Sequence, residues 1–217
     1  MDNKDVKPQI IGLCGLKGSG KDTAASFLLE EGWARISFAD PLKDLTASVF
    51  GMKPAKFHHP EFKDLVFKDT LILDQDHADN LIAELELGSQ AAQLVYELVD
   101  GKEINTAREL LQFIGTDVIR EILGTHYWVD RAETLLKRWL DDGVNVVFTD
   151  VRFKNERDLI KDYGGNVYVL LRDASKKKVD EHSSEVIDFI VDGVIKNDDG
   201  IEELGNNIKE RVAPTIH

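Results

Sequence analysis

The sequence contains a single cysteine and no long apolar run, and each absence excludes a class of protein. Cys14 is the only cysteine in 217 residues, so no intramolecular disulfide can form and a reducing compartment is the simpler expectation. No apolar run approaches the roughly 18 residues that a membrane span needs. Residues Met1–Val6 lack the apolar core of a secretory signal. We therefore expect a cytoplasmic protein.

The sequence also lacks the positive charge expected of a protein that binds a nucleic-acid polymer. Its 40 acidic residues outnumber its 27 basic ones, and the net charge is −13. Polymer binding needs a basic face, so we expect no nucleic-acid partner. A small nucleotide stays possible, because a few local cations and backbone N–H groups can hold its phosphates. Repulsion beyond roughly 8–10 Å is screened at cellular salt.

Strand-like and helix-like segments alternate along the chain, which is typical of βαβ units. The predicted strands are Gln9–Leu13, Ala34–Phe38, Val144–Phe148, Val167–Leu171 and Val191–Lys196. The predicted helices are Thr23–Glu31, Pro41–Phe50, Ala107–Leu123, Val129–Asp141, Lys154–Tyr163 and Ile201–Val212. We predict an α/β fold of three layers, in which a mainly parallel five-stranded sheet is flanked by helices.

This pattern loosens between about residues 53 and 105. We interpret that stretch as an irregular or helical insertion in a single domain of residues 1–217, because about 50 residues are few for an independent core. Within it, Asp74-Gln-Asp76-His-Ala-Asp79 suggests a calcium-binding loop. Leu85 stands where such a loop needs a bidentate glutamate, so we predict a solvated turn instead.

A glycine-rich segment lies between the first predicted strand and the first predicted helix. Gly15-Leu-Lys17-Gly18-Ser19-Gly20-Lys21 follows the strand, and Ala24, Phe27 and Leu28 follow at helical spacing. In this context backbone N–H groups and a helix N-terminus converge on phosphate oxygens. Glycines let the backbone approach the ligand, and Lys21 is predicted to bridge the β- and γ-phosphates. The alternative is a glycine-rich turn without a ligand.

The segment departs from the general phosphate-loop (P-loop) motif at one position. Asp22 follows Lys21 where the motif has Ser or Thr, and Thr23 comes one residue later. This Lys-x-Thr order resembles nucleoside monophosphate kinases more than GTPases or motor proteins. We therefore predict a P-loop NTPase fold.

The predicted helix 107–123 carries a polar stripe beside its apolar face. Thr106-Ala-Arg-Glu109 has the form of a capping box and begins the helix. A helical wheel of 3.6 residues per turn places Leu111, Ile114, Val118 and Ile122 on the core face. It places Arg108, Gln112, Gly115 and Thr116 on the neighbouring stripe. Arginine suits bidentate phosphate binding. Glycine inside a helix costs ~1 kcal/mol relative to alanine, which favours a ligand surface with room at Gly115 over an ordinary solvated face.

An aromatic residue follows this helix in the segment Thr125-His-Tyr-Trp128. Trp128 either stacks on a base or is a core or subunit-contact aromatic.

A carboxylate ends the apolar strand segment Val144–Asp150. Ligands of open α/β sheets bind at the carboxyl ends of strands, so Asp150 is placed to hold a Mg²⁺-bound water or a substrate hydroxyl. Arg152 can offset phosphate charge. Glu156 lies one helical turn later and can hold or orient Arg152. The alternative is a surface pair worth a few tenths of a kcal/mol. We predict no direct metal ligand.

A basic segment follows Arg172. Lys176-Lys-Lys178 and His182-Ser-Ser-Glu185 either close over phosphates or form a solvated loop. Phosphoryl transfer needs positioning and charge stabilisation more than a base, so we assign His182 no proton-transfer role.

Together these residues resemble the phage and bacterial deoxynucleoside monophosphate kinases. The matching segments are collinear and cover most of the chain outside the insertion. They are Gly15–Thr23, Phe38–Lys43, Arg108–Asp117, Tyr127–Val129, Thr149–Glu156, Gly164-Gly165, His182–Glu185 and Ile195–Asp198.

The resemblance implies an adenylate-kinase-like P-loop fold, ATP and Mg²⁺ as cofactors, a deoxynucleoside monophosphate acceptor and a homodimer, in the host cytoplasm if the chain is phage-encoded. It implies that ATP is held by Gly15, Gly18, Ser19, Gly20, Lys21, Asp22 and Thr23, with Asn197 and Asp198 bordering the adenine. The acceptor would be surrounded by Lys17, Leu42, Lys43, Lys68, Arg108, Gln112, Gly115, Thr116, Trp128, Asp150, Arg152 and Glu156. The catalytic residues would be Lys17, Lys21, Arg108, Asp150 and Arg152.

The expected reaction is in-line transfer of the ATP γ-phosphoryl group to the acceptor, giving a deoxynucleoside diphosphate and ADP for DNA precursor synthesis. The alternatives are another small-metabolite P-loop kinase, such as a dephospho-coenzyme A kinase, and a nucleotide-binding module without catalysis.

Overall fold

The structure, a computed structural model, describes residues 7–172 and 187–212. The segments containing Lys176–Lys178 and His182–Glu185 lie outside the described residues. The chain divides into two compact units. Unit 1 comprises Met1–Phe38 and Val129–His217, and unit 2 comprises Ala39–Trp128. That the whole chain acts as a single domain stays a prediction.

Unit 1 is built on a five-stranded sheet. With strands numbered along the whole chain, it contains β1 (Ile10–Cys14), β2 (Ala34–Ile36), β5 (Val146–Phe148), β6 (Asn166–Leu171) and β7 (Gly193–Lys196). Their spatial order is β2-β5-β1-β6-β7, and each neighbouring pair is parallel. All five predicted strands are confirmed, and their ends differ from the prediction by two residues or fewer.

Side chains alternate across this sheet, so each face has its own apolar core. On one face, Ile10 and Cys14 of β1 pack with residues of α9 (Tyr127–Asp141) and α10 (Lys154–Asp162). On the other face, Leu13 packs with residues of α1 (Lys21–Leu29) and α11 (Ile201–Val212). Helices therefore cover both faces, and the predicted α/β fold with a flanked parallel sheet is confirmed. The described residues include no helix that is both long and apolar enough to cross a membrane.

The connections of this sheet fix where a ligand can bind. β1 continues into α1 on one face, whereas the neighbouring strand β5 continues into α10 on the opposite face. Where adjacent parallel strands send their chains to opposite faces, a crevice opens outside their carboxyl ends. The residues at this crevice are Gly15–Gly20 after β1 and Asp150–Arg152 after β5.

Unit 2 is mostly helical. Its helices are α2 (Asp40–Val49), α3 (Pro54–His58), α4 (Pro60–Lys63), α5 (Gln75–Glu84), α6 (Ser89–Val99), α7 (Ala107–Gln112) and α8 (Glu121–Leu123). Its strands β3 (Val66–Ile72) and β4 (Glu103–Thr106) pair antiparallel. The stretch 53–105, expected to be irregular or helical, thus also contains a two-stranded sheet. It shares a buried core with the helical region that follows, through Leu81, Val95 and Ile114.

The prediction of a solvated turn at residues 74–79 is wrong. Asp74 is the N-cap of α5, and its carboxylate accepts a hydrogen bond from the backbone N–H of His77 at 3.2 Å. The backbone N–H of Asp74 donates in return to His77 Nδ1 at 3.3 Å, which completes a reciprocal cap. Among the described residues, no three or more His, Cys, Asp or Glu side chains are arranged to hold a metal ion.

The predicted helix 107–123 is not uniform. α7 gives way to a π-helical segment, Phe113–Arg120, before α8. In a π-helix each N–H bonds five residues back, so a wheel of 3.6 residues no longer assigns the faces. Ile114 and Val118 are buried as predicted, but Phe113 and Ile119 are buried as well.

The turn between α10 and β6 needs two adjacent glycines for different reasons. Gly164 has a φ of +78°, which side chains disfavour, but no atom lies within 4 Å of the position a Cβ would take. Gly165 is restricted by space. A Cβ there would lie 2.7 Å from the backbone oxygen of Ile10 in β1.

We predict that Gly165→Ala lowers the free energy of unfolding by about 1–3 kcal/mol, the usual cost of overfilling a packed core. The backbone oxygen of Ile10 can move only if β1 moves. Urea denaturation provides the measurement. Gly88→Ala is the control, because no atom lies within 4 Å of that site. Equal stabilities for wild type and Gly165→Ala would show that the turn can move away from β1.

Candidate functional site

Three glycines shape the loop between β1 and α1. Gly15, Gly18 and Gly20 have φ values of +137°, +76° and +101°. A Cβ on Gly15 would lie 2.6 Å from the backbone oxygen of Leu170, and one on Gly20 would lie 2.3 Å from Asn197 Nδ2. Conformation and space therefore both require glycine at positions 15 and 20.

Lys21 is the first residue of α1, and its ammonium turns back onto the loop. Nζ donates hydrogen bonds to the backbone oxygens of Gly15 at 2.7 Å and Leu16 at 3.1 Å. Burial lowers the pKa of Lys21, and the positive charge of Arg152 lowers that pKa further, against the opposing carboxylates of Asp22 and Asp150. A partly desolvated ammonium of this kind is stabilised when an anion binds beside it.

Two further features of the loop favour an anion. The hydroxyl of Ser19 is buried and has no hydrogen-bond partner among the described residues. The N-cap of α1 is Gly20, which makes no side-chain cap, so the N–H groups of the first turn are left for a ligand. The positive end of the α1 dipole also lies at this loop and favours an anion there. A phosphate satisfies all of these groups together.

Asn197, which follows β7, braces the loop. Its side-chain amide donates to the backbone oxygen of Ser19 at 2.8 Å, and its backbone N–H donates to Leu171 at 2.9 Å. These bonds tie the loop to the carboxyl end of β6. Asp198 is exposed beside it.

Asp150 joins the ends of two strands. Its carboxylate accepts hydrogen bonds from the hydroxyl of Ser37 at 2.7 Å and from the backbone N–H of Phe38 at 2.9 Å, both just after β2. The structure places it near enough to Lys21 to raise the pKa of that side chain.

Glu156 orients Arg152 through the backbone. The buried Glu156 carboxylate accepts from the backbone N–H groups of Arg152 at 2.7 Å and Phe153 at 3.1 Å. These are N–H groups at the start of α10, so the carboxylate caps that helix. The turn is thereby fixed, and the Arg152 side chain is exposed.

In unit 2, two predicted acceptor cations are paired with carboxylates. Lys43 is buried and donates to Asp40 at 2.5 Å. Arg108 donates from Nε to Asp64 at 2.7 Å. Of the other predicted residues, Gln112 is half-buried, whereas Lys68 and Thr116 are exposed.

Leu42, Gly115 and Trp128 form a packed group in unit 2. A Cβ on Gly115 would lie 2.5 Å from Leu42 Cδ2, so Leu42 fills the space that we expected a ligand to use. Trp128 is only 4% exposed and donates from its indole N–H to the backbone oxygen of Gly115 at 3.2 Å. Of the two alternatives for Trp128, the structure shows the core aromatic.

The sequence reasoning missed several partners of the predicted residues. They are Ser37, Asp40, His58 and Asp64. The i,i+3 spacing of Asp40 and Lys43 in α2 is a local signal that could have found one pair. The other partners are distant in sequence and no spacing predicts them.

The fold and this site define an α/β protein whose first strand leads into a glycine-rich loop suited to an anion. The model of the deoxynucleotide monophosphate kinase family matches residues 67–208. The chain is 30% identical to the deoxynucleotide monophosphate kinase of Enterobacteria phage T4, with 93% of this chain and 97% of that protein covered. It is also 30% identical to a protein of Acanthamoeba polyphaga mimivirus, with 92% and 93% covered. The chain belongs to the deoxynucleotide monophosphate kinase family, and it is a kinase enzyme.

A solved structure resembles the chain only weakly. The crystal structure of TT1252 from Thermus thermophilus matches 98% of this chain and 100% of that one, at 17% identity and a TM-score of 0.47. That score is too low to add to the description of the fold.

Cys14, at the end of β1, provides a probe of this site. Burial raises the pKa of its thiol to about 11. At pH 8 only roughly one molecule in a thousand then carries the reactive thiolate. We predict that iodoacetamide labels Cys14 only in denatured protein, as measured by mass spectrometry, with glutathione as the reactive control. Labelling of the native protein at the glutathione rate would contradict the buried end of β1.

Proposed function

We propose that this kinase transfers the γ-phosphoryl group of Mg·ATP to a deoxynucleoside 5′-monophosphate, giving the diphosphate and ADP. The observation that carries the proposal is the Lys21 ammonium, desolvated and turned inward by a glycine loop, in a chain of this family.

The donor half of the proposal uses residues of unit 1. Ser19–Thr23 would hold the β- and γ-phosphates, with the Ser19 hydroxyl and the first-turn N–H groups of α1 as donors. On phosphate binding, the Lys21 ammonium would exchange backbone oxygens for phosphate oxygens. Asn197 would keep the loop in shape, and Asp198 would border the adenine.

Asp150 fits a role beside magnesium. Mg²⁺ prefers oxygen ligands and keeps several waters, so a carboxylate at a strand end can hold it through a water. The bound ion would supply positive charge to the β- and γ-phosphates. The hydrogen bonds from Ser37 and Phe38 would hold the carboxylate in place.

The acceptor half of the proposal uses four cations. Lys17, Lys43, Arg108 and Arg152 would offset the acceptor phosphate. Arg108 uses Nε for Asp64, and a guanidinium has five donors, so a bidentate face is left for phosphate. Lys68, Gln112 and Thr116 would contact the rest of the acceptor. Leu42, Gly115, Trp128 and Glu156 would shape the surroundings by packing and backbone hydrogen bonds.

Catalysis on this proposal is electrostatic. The transferred group carries its charge on equatorial oxygens, and fixed cations stabilise that charge without having to reorganise. Lys21 would supply one such cation from the glycine loop, and Arg152 would supply another from the turn after β5. We also propose that the enzyme acts as a homodimer.

We predict that Lys21→Ala lowers kcat by at least about a hundredfold, the usual cost of removing one transition-state donor. Its thermal unfolding midpoint should stay at or above that of wild type, because a desolvated charge is removed. ADP release measures turnover. Lys137→Ala is the matched control, since Lys137 is exposed and paired with Glu133 on α9. A Lys21→Ala enzyme with near-normal kcat would overturn the assignment of Lys21.

The acceptor is tested with a panel of substrates in the presence of Mg·ATP. The panel contains deoxynucleoside monophosphates, ribonucleoside monophosphates, dephospho-coenzyme A and no acceptor. ADP formed with deoxynucleoside monophosphates supports the proposal. ADP formed only with dephospho-coenzyme A would replace it with the other kinase, and ATP binding without any transfer would indicate a regulatory module.

A further inference from the structure

One buried ammonium of unit 2 is held from two helices. Lys43 of α2 is 6% exposed. Its Nζ donates to Asp40 Oδ1 at 2.5 Å, and it lies 3.5 Å from Nδ1 of His58, the last residue of α3. That imidazole nitrogen is itself 3.8 Å from Asp40 Oδ1. The three side chains thus form a compact triangle.

The donors of this ammonium are not all used. A lysine ammonium has three N–H groups. Within the described residues, Asp40 and His58 are the partners of Lys43, so one N–H of a largely desolvated charge is left to bind something else. A buried cation in this condition is stabilised by a further acceptor, and an anion serves best.

The contact between Lys43 and His58 selects one tautomer of the imidazole. An ammonium can only donate, so a hydrogen bond from Lys43 to Nδ1 requires the ring proton to lie on Nε2. Lys43 and Asp40 carry opposite charges. A carboxylate at position 58 would add negative charge beside the ammonium and repel an anion, whereas the lone pair of an imidazole nitrogen can hold the ammonium without a formal negative charge.

We propose that His58 is a positioning residue for the acceptor. Its Nδ1, with Asp40, holds the Lys43 ammonium so that the third N–H points to the phosphate monoester of the acceptor nucleotide. This inference rests on the proposed function and deepens its acceptor half. His58 itself does not touch the substrate. A flexible four-carbon side chain needs such fixing, because a free lysine loses more entropy when it binds.

The test uses a graded series at position 58. The side-chain oxygen of asparagine can take the place of Nδ1, so His58→Asn should keep the acceptor KM within about twofold of wild type. His58→Ala removes the nitrogen that accepts the hydrogen bond from Lys43. It should raise the KM for the acceptor nucleotide about fivefold, the usual effect of losing one hydrogen bond. His58→Asp should raise it further. In each variant the KM for ATP and kcat should change by less than about twofold, because the transfer step is not touched.

The control is the neighbouring histidine, His59, which is exposed. His59→Ala should leave the acceptor KM unchanged. Thermal unfolding midpoints check that each variant folds. Titration calorimetry with dAMP, dCMP, dGMP and dTMP, without ATP, gives the acceptor Kd directly and remains informative for a slow variant.

A double-mutant cycle with Lys43→Met tests whether His58 affects acceptor binding through Lys43. In the Lys43→Met background, His58→Ala should have no further effect on the acceptor Kd. A persistent effect, an unchanged Kd in His58→Ala alone, or equal losses in His58→Asn and His58→Ala would each overturn the inference.

The same experiment separates this inference from the proposed function. A Lys43→Met enzyme with unchanged acceptor Kd would remove Lys43 from the acceptor site and overturn the role of His58 with it. Failure of the wild-type enzyme to bind any of the four nucleotides would instead overturn the proposed acceptor. If Lys43→Met weakens binding but the His58 variants do not, only the present inference fails.

Discussion

The site in unit 1 depends on a positive charge that the fold removes from water and leaves partly uncompensated. The Lys21 ammonium lies among backbone oxygens of its own loop, and burial together with Arg152 lowers its pKa in spite of the nearby carboxylates. Backbone oxygens are partial charges, so they hold the ammonium less well than a full anion does. A bound phosphate is also favoured by three other features of the loop. These are the glycine conformations, the uncapped start of α1 and the buried Ser19 hydroxyl.

The local parts of this site could be predicted from the sequence because the information lies within a few residues. A strand, three glycines, a lysine and an amphipathic helix occur in one continuous run, and their conformations follow from their order. The position of Asp150 followed from the rule for strand ends. The N-cap of α7 was also local, and Thr106 accepts from the backbone N–H of Glu109 at 3.1 Å. The reciprocal half of the predicted capping box is not formed, because the Glu109 carboxylate accepts from the backbone N–H of Asn105 at 2.8 Å.

Other parts depend on partners that are far apart in the chain. Nothing near Asp150 indicates that Ser37 and Phe38, more than a hundred residues earlier, hold its carboxylate. β3 was missed because most of its side chains are exposed, so apolar and polar residues do not alternate as in a half-buried strand. The π-helical segment was missed because the choice between hydrogen bonds four and five residues back is made by tertiary packing. Gly115 illustrates this, since its missing side chain makes room for Leu42 and not for a ligand.

The brace between Gly20 and Asn197 has a consequence for how this sequence can change over time. The loop glycine has no room for a methyl group because the Asn197 amide is there, and that amide is needed because it holds the Ser19 backbone oxygen. A larger residue at position 20 is therefore harmful for two reasons, the Asn197 amide and the φ of +101°, and a smaller residue at position 197 is harmful because the loop loses its support. Substitution at position 197 therefore cannot free position 20 to vary, because the backbone conformation there still favours glycine.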